Sequence, residues 1–147
     1  MVRKRYLIVL SQKQRAKMEN QLNALIKWEH CVNLIMDLSR RFPKALRPTL
    51  GRKLDEQCID TLVSLSESRY LPQGDRGETL KAVDKGLATT RVLLRLARSR
   101  DAVSVGQYRH LSELVDECGR MIGGLRRANA CSELDPEPSR YSSAIDK

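Results

Sequence analysis

The sequence predicts an all-α fold, an antiparallel up-down-up-down bundle of four helices. Apolar residues recur at steps of three and four in four separate segments, as in helices that bury one face. Stretches containing Pro, Gly and other turn-forming residues separate these segments. Apolar residues make up 41% of the chain, with one Trp, one Phe and four Tyr. The core must therefore be mostly aliphatic, which suits helices packed through short connections.

Residues 1–17 contain six basic residues and no acid, and they precede the first helical pattern. Three interpretations are open: a mobile basic arm, an edge strand or docking segment built on "YLIVL", and a natural start at Met18. The apolar run from Tyr6 to Leu10 is too short for a signal peptide or a membrane span. With four widely spaced cysteines as well, we expect reduced thiols and a cytoplasmic protein with no membrane segment.

The first two helices are predicted at about residues 18–40 and 48–68. Pro43 and Pro48 bracket their connection, and Pro48 suits a first helical turn because it has no N–H to leave unpaired. The first apolar stripe comprises Leu22, Leu25, Ile26, Trp28, Val32, Ile35 and Met36. The second comprises Leu50, Leu54, Cys58, Leu62 and Leu65.

The third helix is predicted at about residues 77–99, and the fourth begins at about Ser104. Ser104 and Gln107 form an S-x-x-Q capping box just before an apolar run. The third stripe comprises Leu80, Val83, Leu87, Leu94 and Ala97, and the fourth comprises Tyr108, Leu111, Val115, Cys118, Ile122 and Leu125. The bundle therefore covers residues 18–130, and the polar segment 131–147 is predicted to be a disordered tail.

Enzyme signatures are missing from the sequence. It has no nucleophile elbow, phosphate loop, dinucleotide fingerprint or H-E-x-x-H motif. His30 and His110 fall on different predicted helices, and the side chains of His30 and Cys31 project about 100° apart. We therefore predict no catalytic residue, no cofactor and no metal site. Three acids of the fourth helix are interpreted as a solvated face or as ion-pair partners: Glu113, Asp116 and Glu117.

The charge distribution favours an anionic partner. The net charge is +9, and residues 85–100 contain five basic residues and no acid. Arg91, Arg95 and Arg98, here called the arginine row, share one helix face through i, i+4, i+7 spacing. Because guanidiniums bind phosphates bidentately, we predict that this row contacts a nucleic-acid backbone, with few base contacts given the scarcity of aromatic residues. The supporting residues are Arg47, Arg52 and Arg120. The alternatives are a solubilising face, intersubunit ion pairs, or an acidic protein partner.

Gly119, Gly123 and Gly124 lie inside the predicted fourth helix, where each costs roughly 1 kcal/mol relative to Ala. We predict that they allow another helix to approach closely, either within the bundle or between subunits. The alternative is a fraying helix end, in which the glycines act as early C-caps. Leu125 continues the apolar seam beyond them, which favours the packing interpretation.

Three blocks of the chain together resemble one family: "RFPKALRPTLGRKL" (41–54), "SLSESRY" (64–70) and "LATTRVLLRLARSRDAVSVGQYRHLSELVDECGRMIGG" (87–124). They are similar to the accessory variability proteins (Avd) of diversity-generating retroelements. These proteins belong to a wider four-helix-bundle family that includes proteins encoded in ribosomal RNA intervening sequences. The resemblance covers about residues 20–127. Lys44 stands where the family usually has Arg, and Leu125 where it usually has an aromatic residue.

This resemblance implies a homopentameric barrel of four-helix bundles with a basic surface. It implies a protein without catalysis of its own, which binds the retroelement's reverse transcriptase and RNA or DNA. Such a protein would support mutagenic cDNA synthesis and retrohoming, with the arginine row facing the nucleic acid or the polymerase. The alternative is a protein–protein scaffold of the intervening-sequence type that does not bind nucleic acid directly.

Overall fold

A computed structural model describes the backbone of residues 2–134 and the side chains of Gln12 and residues 15–131. The described part contains four α-helices and no strand, consistent with the predicted four-helix bundle. The helices are α1 (Val2–Ser39), α2 (Arg52–Ser68), α3 (Gln73–Ser99) and α4 (Val105–Leu134). α1 and α3 each pack against both α2 and α4, so the four contacts form a closed cycle around one core.

The two ends of the chain differ from the predicted boundaries. α1 begins at Val2, so the backbone of residues 2–17 is helical and continuous with the bundle helix. α4 continues through its glycines to Leu134, into the segment that the sequence assigned to a tail. The rest of that predicted tail, residues 135–147, lies outside the described residues.

The connection between α1 and α2 contains a π-helical turn, Arg47–Gly51. The Gly51 N–H donates to the carbonyl of Leu46 at 2.9 Å, and Pro48 lies in the first positions of the turn. Phe42 is buried beneath the connection, and its carbonyl accepts a 2.8 Å hydrogen bond from Arg47 Nε. The proline-containing block therefore folds as a tight connection anchored by one aromatic side chain.

α3 begins at Gln73, earlier than predicted, because tertiary hydrogen bonds stabilise its first turns. The Arg76 guanidinium donates to the carbonyls of Ser68 at 3.1 Å and Leu71 at 3.0 Å. The side chains of Gln73 and Asn129 each donate to the other residue's carbonyl, at 3.0 and 3.1 Å. The bonds of Arg76 to nearby carbonyls and the long-range pair of Gln73 with Asn129 outweigh the turn-forming composition that suggested a longer loop.

The start of α4 confirms the predicted capping box. The Ser104 N–H donates to Gln107 Oε1 at 2.9 Å, and the Gln107 N–H donates to Ser104 Oγ at 3.1 Å. Just before it, Asp101 adopts a left-handed conformation with φ of 55°, which ends α3. Two local signals therefore position the turn between α3 and α4.

The core contains most of the predicted stripe residues. All five of the α3 stripe are buried, and Trp28 joins α1 to α2 by donating from Nε1 to the Cys58 carbonyl at 3.2 Å. The prediction is wrong for Leu22 and Ile26, which remain 40% and 56% exposed instead of widening the buried face of α1. Together with Met18, they form an exposed apolar stripe at four-residue spacing, here called the α1 stripe.

Candidate polyanion-binding surface

The first member of the arginine row, Arg91, lies on the flank of α3 that contacts α4. Its Nε donates to Asp116 Oδ1 of α4 at 2.9 Å, and the two side chains are 36% and 55% exposed. A partly exposed pair of this kind contributes about 0–1 kcal/mol. Asp116 is thus an ion-pair partner, one of the two interpretations left open for it, as is Glu117, which pairs with Lys27 at 3.0 Å.

Arg98 is also partnered. Its Nη1 donates to Asp101 Oδ1 at 3.0 Å and to the Val103 carbonyl at 3.3 Å. Arg98 therefore stabilises the connection between α3 and α4. Arg91 and Arg98, the two outer members of the arginine row, are therefore each paired with a carboxylate of the same chain. Arg95 differs from both, since it is exposed and has no hydrogen bond or ion pair within the described part of the chain.

A third cross-helix ion pair was missed by sequence reasoning. Arg126 of α4 donates from Nη1 to Asp84 Oδ2 of α3 at 2.8 Å. Asp84, Arg91 and Arg98 follow one another at seven-residue steps, which places them on one flank of α3. The seven-residue spacing could have predicted from the sequence that Asp84 shares a flank with Arg91 and Arg98. The flank is therefore a line of charged contacts that joins α3 to α4 and to the turn between them.

The connections between α1 and α2 and between α3 and α4 lie at the same end of the bundle. Asp37 and Arg41 of α1 line a cleft of about 240 Å³ together with Gln107 and His110 of α4, so the end of α1 lies beside the start of α4. Residues 40–53 contain six basic residues and no acid. The end of the bundle that contains both connections is here called the cationic end. Its exposed basic residues are Arg40, Arg41, Lys44, Arg47, Arg52, Lys53, Arg95, Arg100 and Arg109.

The three supporting residues differ in their surroundings. Arg47 uses Nε to bind a backbone carbonyl in the tight connection, and Arg52 pairs with Glu56 at 2.8 Å across one helical turn. Both remain exposed, and Arg52 and Glu56 are so accessible that solvent screens most of their attraction. Arg120 is exposed on the middle of α4 and has no partner within the described residues. Arg47 and Arg52 thus belong to the cationic end, and Arg120 does not.

The glycines of α4 lie beside arginine side chains. A Cβ added to Gly119 would come within 2.6 Å of Arg91 Nη2, and one added to Gly123 within 3.5 Å of Arg127 Nη1. The nearest atom to a Cβ on Gly124 would be Arg127 Nη2, at 3.9 Å. Within one chain, then, guanidiniums and not another helix occupy the space beside these glycines. A contact between subunits at the same glycines stays a prediction.

The buried thiols have no features of reactive groups. Burial raises the pKa of Cys31, raises that of Cys58 to about 12 and raises that of Cys118 to about 11, so all three remain protonated near neutral pH. Cys131 is exposed and forms no disulfide. Among the described residues, no group of three or more His, Cys, Asp or Glu side chains could hold a metal ion.

His30 lies on α1 and His110 on α4, two different helices as predicted, and both side chains are exposed. Across residues 2–134, no helix combines the length and the apolar character needed to cross a bilayer. What the described surface offers is cationic side chains at one end of the bundle, a charged seam between α3 and α4, and an apolar stripe on α1. These features suit binding to partners.

Comparison with known proteins gives one family. The family model described as bAvd-like matches residues 8–129, most of the chain. No curated protein matches the chain. The match begins in the early turns of α1 and ends just beyond the apolar stripe of α4. It confirms the resemblance indicated by the three sequence blocks. This family is one of accessory proteins of diversity-generating retroelements and is not known to be catalytic. The chain belongs to the bAvd-like family.

Proposed function

We propose that this protein is a non-enzymatic accessory factor that binds the retroelement's reverse transcriptase and nucleic acid, and so supports mutagenic cDNA synthesis. The observation that carries the nucleic-acid part is the cationic end. Six basic residues of the 40–53 connection lie at the same end of the bundle as Arg95, Arg100 and Arg109. A phosphate backbone is the polyanion that such a dense and mostly unpaired array of cations suits.

The contacts are proposed to be with phosphates and not with bases. Trp28 and Phe42 are both 1% exposed, so neither can stack on a nucleobase. The guanidiniums of Arg95, Arg100 and Arg109 have no partner among the side chains that the structure describes, so they can make bidentate phosphate contacts. Binding of this kind has weak sequence preference and falls steeply with salt.

We further infer that the protein works as a homo-oligomer, with the pentamer of the family as the expected state. The α1 stripe of Met18, Leu22 and Ile26 is an exposed apolar surface that another subunit could cover. We also infer alternating helix directions, because Gln73 at the start of α3 pairs with Asn129 near the end of α4. Light scattering should give a multiple of the chain mass, and a monomer would contradict the assembly.

The nucleic-acid proposal is tested by fluorescence anisotropy with a labelled RNA of mixed sequence, over a series of salt concentrations. The logarithm of the affinity should fall linearly with that of the salt concentration, by about 0.7 for each phosphate contact. The double variant Arg95→Gln and Arg100→Gln should reduce that slope by about 1.4 and weaken binding about tenfold or more at low salt.

The matched control is Lys85→Gln with Arg120→Gln, which removes the same charge from the sides of α3 and α4. Both control residues are exposed and lack partners within the described part of the chain. Equal losses in the two double variants would show that the cationic end is not the site. No binding by the unaltered protein at low salt would contradict the nucleic-acid proposal itself.

A second candidate is the protein–protein scaffold. Two members of the arginine row already have carboxylate partners, and the α1 stripe is apolar, which favours protein contacts over phosphate contacts at those places. This candidate predicts that the complex with the reverse transcriptase persists when the cationic end is neutralised. It also predicts no RNA binding in the anisotropy experiment.

A further inference from the structure

A second cationic feature lies at the opposite end of the bundle from the cationic end. The first turns of α3 and the last turns of α4 enclose an open cleft of about 420 Å³. This volume is within the range of ordinary ligand-binding pockets. Its walls include Gly74 and Lys81 from α3, and Gly123, Arg126 and Arg127 from α4. Here it is called the α3–α4 cleft.

The lining of the cleft is predominantly positive. Among the lining residues that the structure describes, three are cationic (Lys81, Arg126 and Arg127) and one is a carboxylate (Glu78). Glu78 is paired with Lys81 at 3.2 Å, and Arg126 is anchored by Asp84 at 2.8 Å. Arg127 has no carboxylate partner within residues 15–131. The cleft therefore combines one anchored guanidinium with one that is available to an incoming anion.

Two glycines keep this space open. A Cβ on Gly74 would meet no atom within 4 Å, so a side chain there would extend into open space beside the cleft. The guanidinium of Arg127 folds back over Gly123, with Nη1 at 3.5 Å from the position of a Cβ. An added Cβ would be in ordinary van der Waals contact with that guanidinium, so the Arg127 side chain lies directly against the backbone of α4 at this position.

The chemistry of the lining selects the class of ligand. Gly77, Asn129 and Ala130 also line the cleft, and the lining residues that the structure describes include no aromatic side chain on which a base could stack. Guanidinium and ammonium groups bind phosphate oxygens through charge-assisted hydrogen bonds. The positive end of the α3 dipole lies at the same place, since Gly74 belongs to the first turn of α3. A phosphate group suits the cleft better than a base or an apolar ligand.

We propose that the α3–α4 cleft binds an internal phosphodiester of a nucleic-acid strand, with Arg127 and Arg126 as the phosphate ligands. This proposal rests on the nucleic-acid binding proposed above and adds a defined site for it, at the end of the bundle opposite the cationic end. A strand contacting both places would cross the length of one bundle. The glycines of α3 and α4 leave room for the strand, and the arginines orient its backbone.

The test adds a bulky side chain at the edge of the cleft without changing its charge. Gly74→Leu places an apolar group in the open space at the start of α3. The matched control is Gly106→Leu, in the first turn of α4, where a Cβ meets only Ser104 Oγ at 4.0 Å. Both variants replace an exposed glycine in a first helical turn with the same helix-forming residue. Urea unfolding should show that both remain folded.

Binding is measured with a labelled single-stranded RNA that ends in a 5′-hydroxyl, so that only internal phosphates are available. Gly74→Leu should weaken its affinity about tenfold at low salt, the loss expected when one phosphate site is blocked. Gly106→Leu places the same side chain at the other end of the bundle, away from the cleft, and should lose less affinity than Gly74→Leu. Arg127→Gln should reduce the salt slope by about 0.7, the share of a single contact with a single strand.

The outcomes separate this proposal from the one on which it rests. If the unaltered protein binds the RNA while Gly74→Leu and Gly106→Leu bind equally well, the cleft is not a phosphate site and the proposed function stands. If only a 5′-phosphorylated RNA is sensitive to Gly74→Leu, the site takes a strand end and the proposal of an internal phosphodiester is wrong. If the unaltered protein binds no RNA at low salt, both proposals fail.

Discussion

Gly86 and Gly119 both lie in helix interiors beside a neighbouring helix, yet their neighbours differ in kind. A Cβ on Gly86 of α3 would overlap Thr61 Oγ1 of α2 and come within 3.3 Å of Thr61 Cβ. A Cβ on Gly119 of α4 would instead meet the tip of the Arg91 side chain, at 2.6 Å from Nη2. The first neighbour is a short, branched and buried side chain, and the second is the end of a long one.

The difference shows how the two interfaces of α3 are built. Against α2, the contact is close-packed, and Thr61 is fixed by donating from Oγ1 to the Gln57 carbonyl at 2.8 Å. On the flank where α3 meets α4 beside Gly119, partly exposed charged side chains lie between the two helices. A close-packed contact resists added volume, because interiors have little free space. A guanidinium at the surface can move to another rotamer.

The largest expected effect comes from Gly86→Ala. The added methyl group overlaps Thr61, and overpacking of this kind costs about 1–3 kcal/mol, offset by roughly 1 kcal/mol of improved helix propensity. The free energy of unfolding in urea should therefore fall by up to about 2 kcal/mol relative to the unaltered protein.

Gly74→Ala is the control for this variant, because a Cβ there meets nothing within 4 Å. It should leave stability unchanged or raise it by up to about 1 kcal/mol. Adding Thr61→Ala to Gly86→Ala removes the nearest oxygen and should recover part of the loss. A Gly86→Ala variant as stable as Gly74→Ala would mean that α2 and α3 are not in close contact at this position.

The comparison also shows which features the sequence could predict. All five α3 residues that apolar periodicity predicted to be buried are buried, and the S-x-x-Q pattern predicted the cap of α4, because both patterns depend on residues a few positions apart. Gly86 was not singled out, although a Cβ added there would overlap Thr61 Oγ1. Its importance depends on Thr61 in another helix, and no local pattern reports that contact.

The candidate site was harder to predict for the same reason. The i, i+4, i+7 spacing placed Arg91, Arg95 and Arg98 on one side of α3, but it carried no information on their partners. Asp116, which neutralises Arg91, is 25 residues away along the chain. Asp116 and Glu117 of the fourth helix do form ion pairs, one of the two interpretations given for them. The sequence does not show which flank of α3 packs against α4, and so it could not predict which arginine is paired. The same packing creates the α3–α4 cleft.

Asp55, in the contact between α1 and α2, differs from Asp84 and Asp116, the partly exposed carboxylates of the ion pairs between α3 and α4. Asp55 of α2 accepts a hydrogen bond on Oδ2 from Ser39 Oγ of α1 at 2.9 Å, while its Oδ1 is buried without a partner in the described part of the chain. Desolvation by burial raises the pKa of Asp55, although the Ser39 bond and the charge of Arg40 act to lower it.

Since the pKa of Asp55 is higher in the folded than in the unfolded protein, the folded state binds more protons between the two values. Its contribution to stability therefore increases as the pH falls through the raised pKa toward the ordinary value of 3.8. Asp55→Asn should remove this dependence, with a slope difference from the unaltered protein of at most about 1.4 kcal/mol per pH unit. Urea unfolding at several pH values between 4 and 7 measures it.

Asp60→Asn, at an exposed position of the same helix, is the control for Asp55→Asn. It should leave the pH dependence of the free energy of unfolding nearly unchanged. Identical pH dependence in the two variants would mean that the Asp55 carboxylate is as well solvated as that of Asp60. In that case, the surroundings of Asp55 between α1 and α2 would be solvated, like the charged flank between α3 and α4. They would not be close-packed, as the contact beside Gly86 is.

The smallest expected effect is that of Gly119→Ala. The methyl group displaces the Arg91 guanidinium and weakens its pair with Asp116, a loss of about 0–1 kcal/mol for a partly exposed pair. Alanine gains roughly 1 kcal/mol of helix propensity over glycine, so the free energy of unfolding should change by less than about 1 kcal/mol. In an Arg91→Gln background the same change should stabilise the protein by close to that full gain, because no guanidinium remains to be displaced. A loss as large as that of Gly86→Ala would instead mean that Arg91 cannot move, and that the charged seam between α3 and α4 is as rigid as the packed contact between α2 and α3.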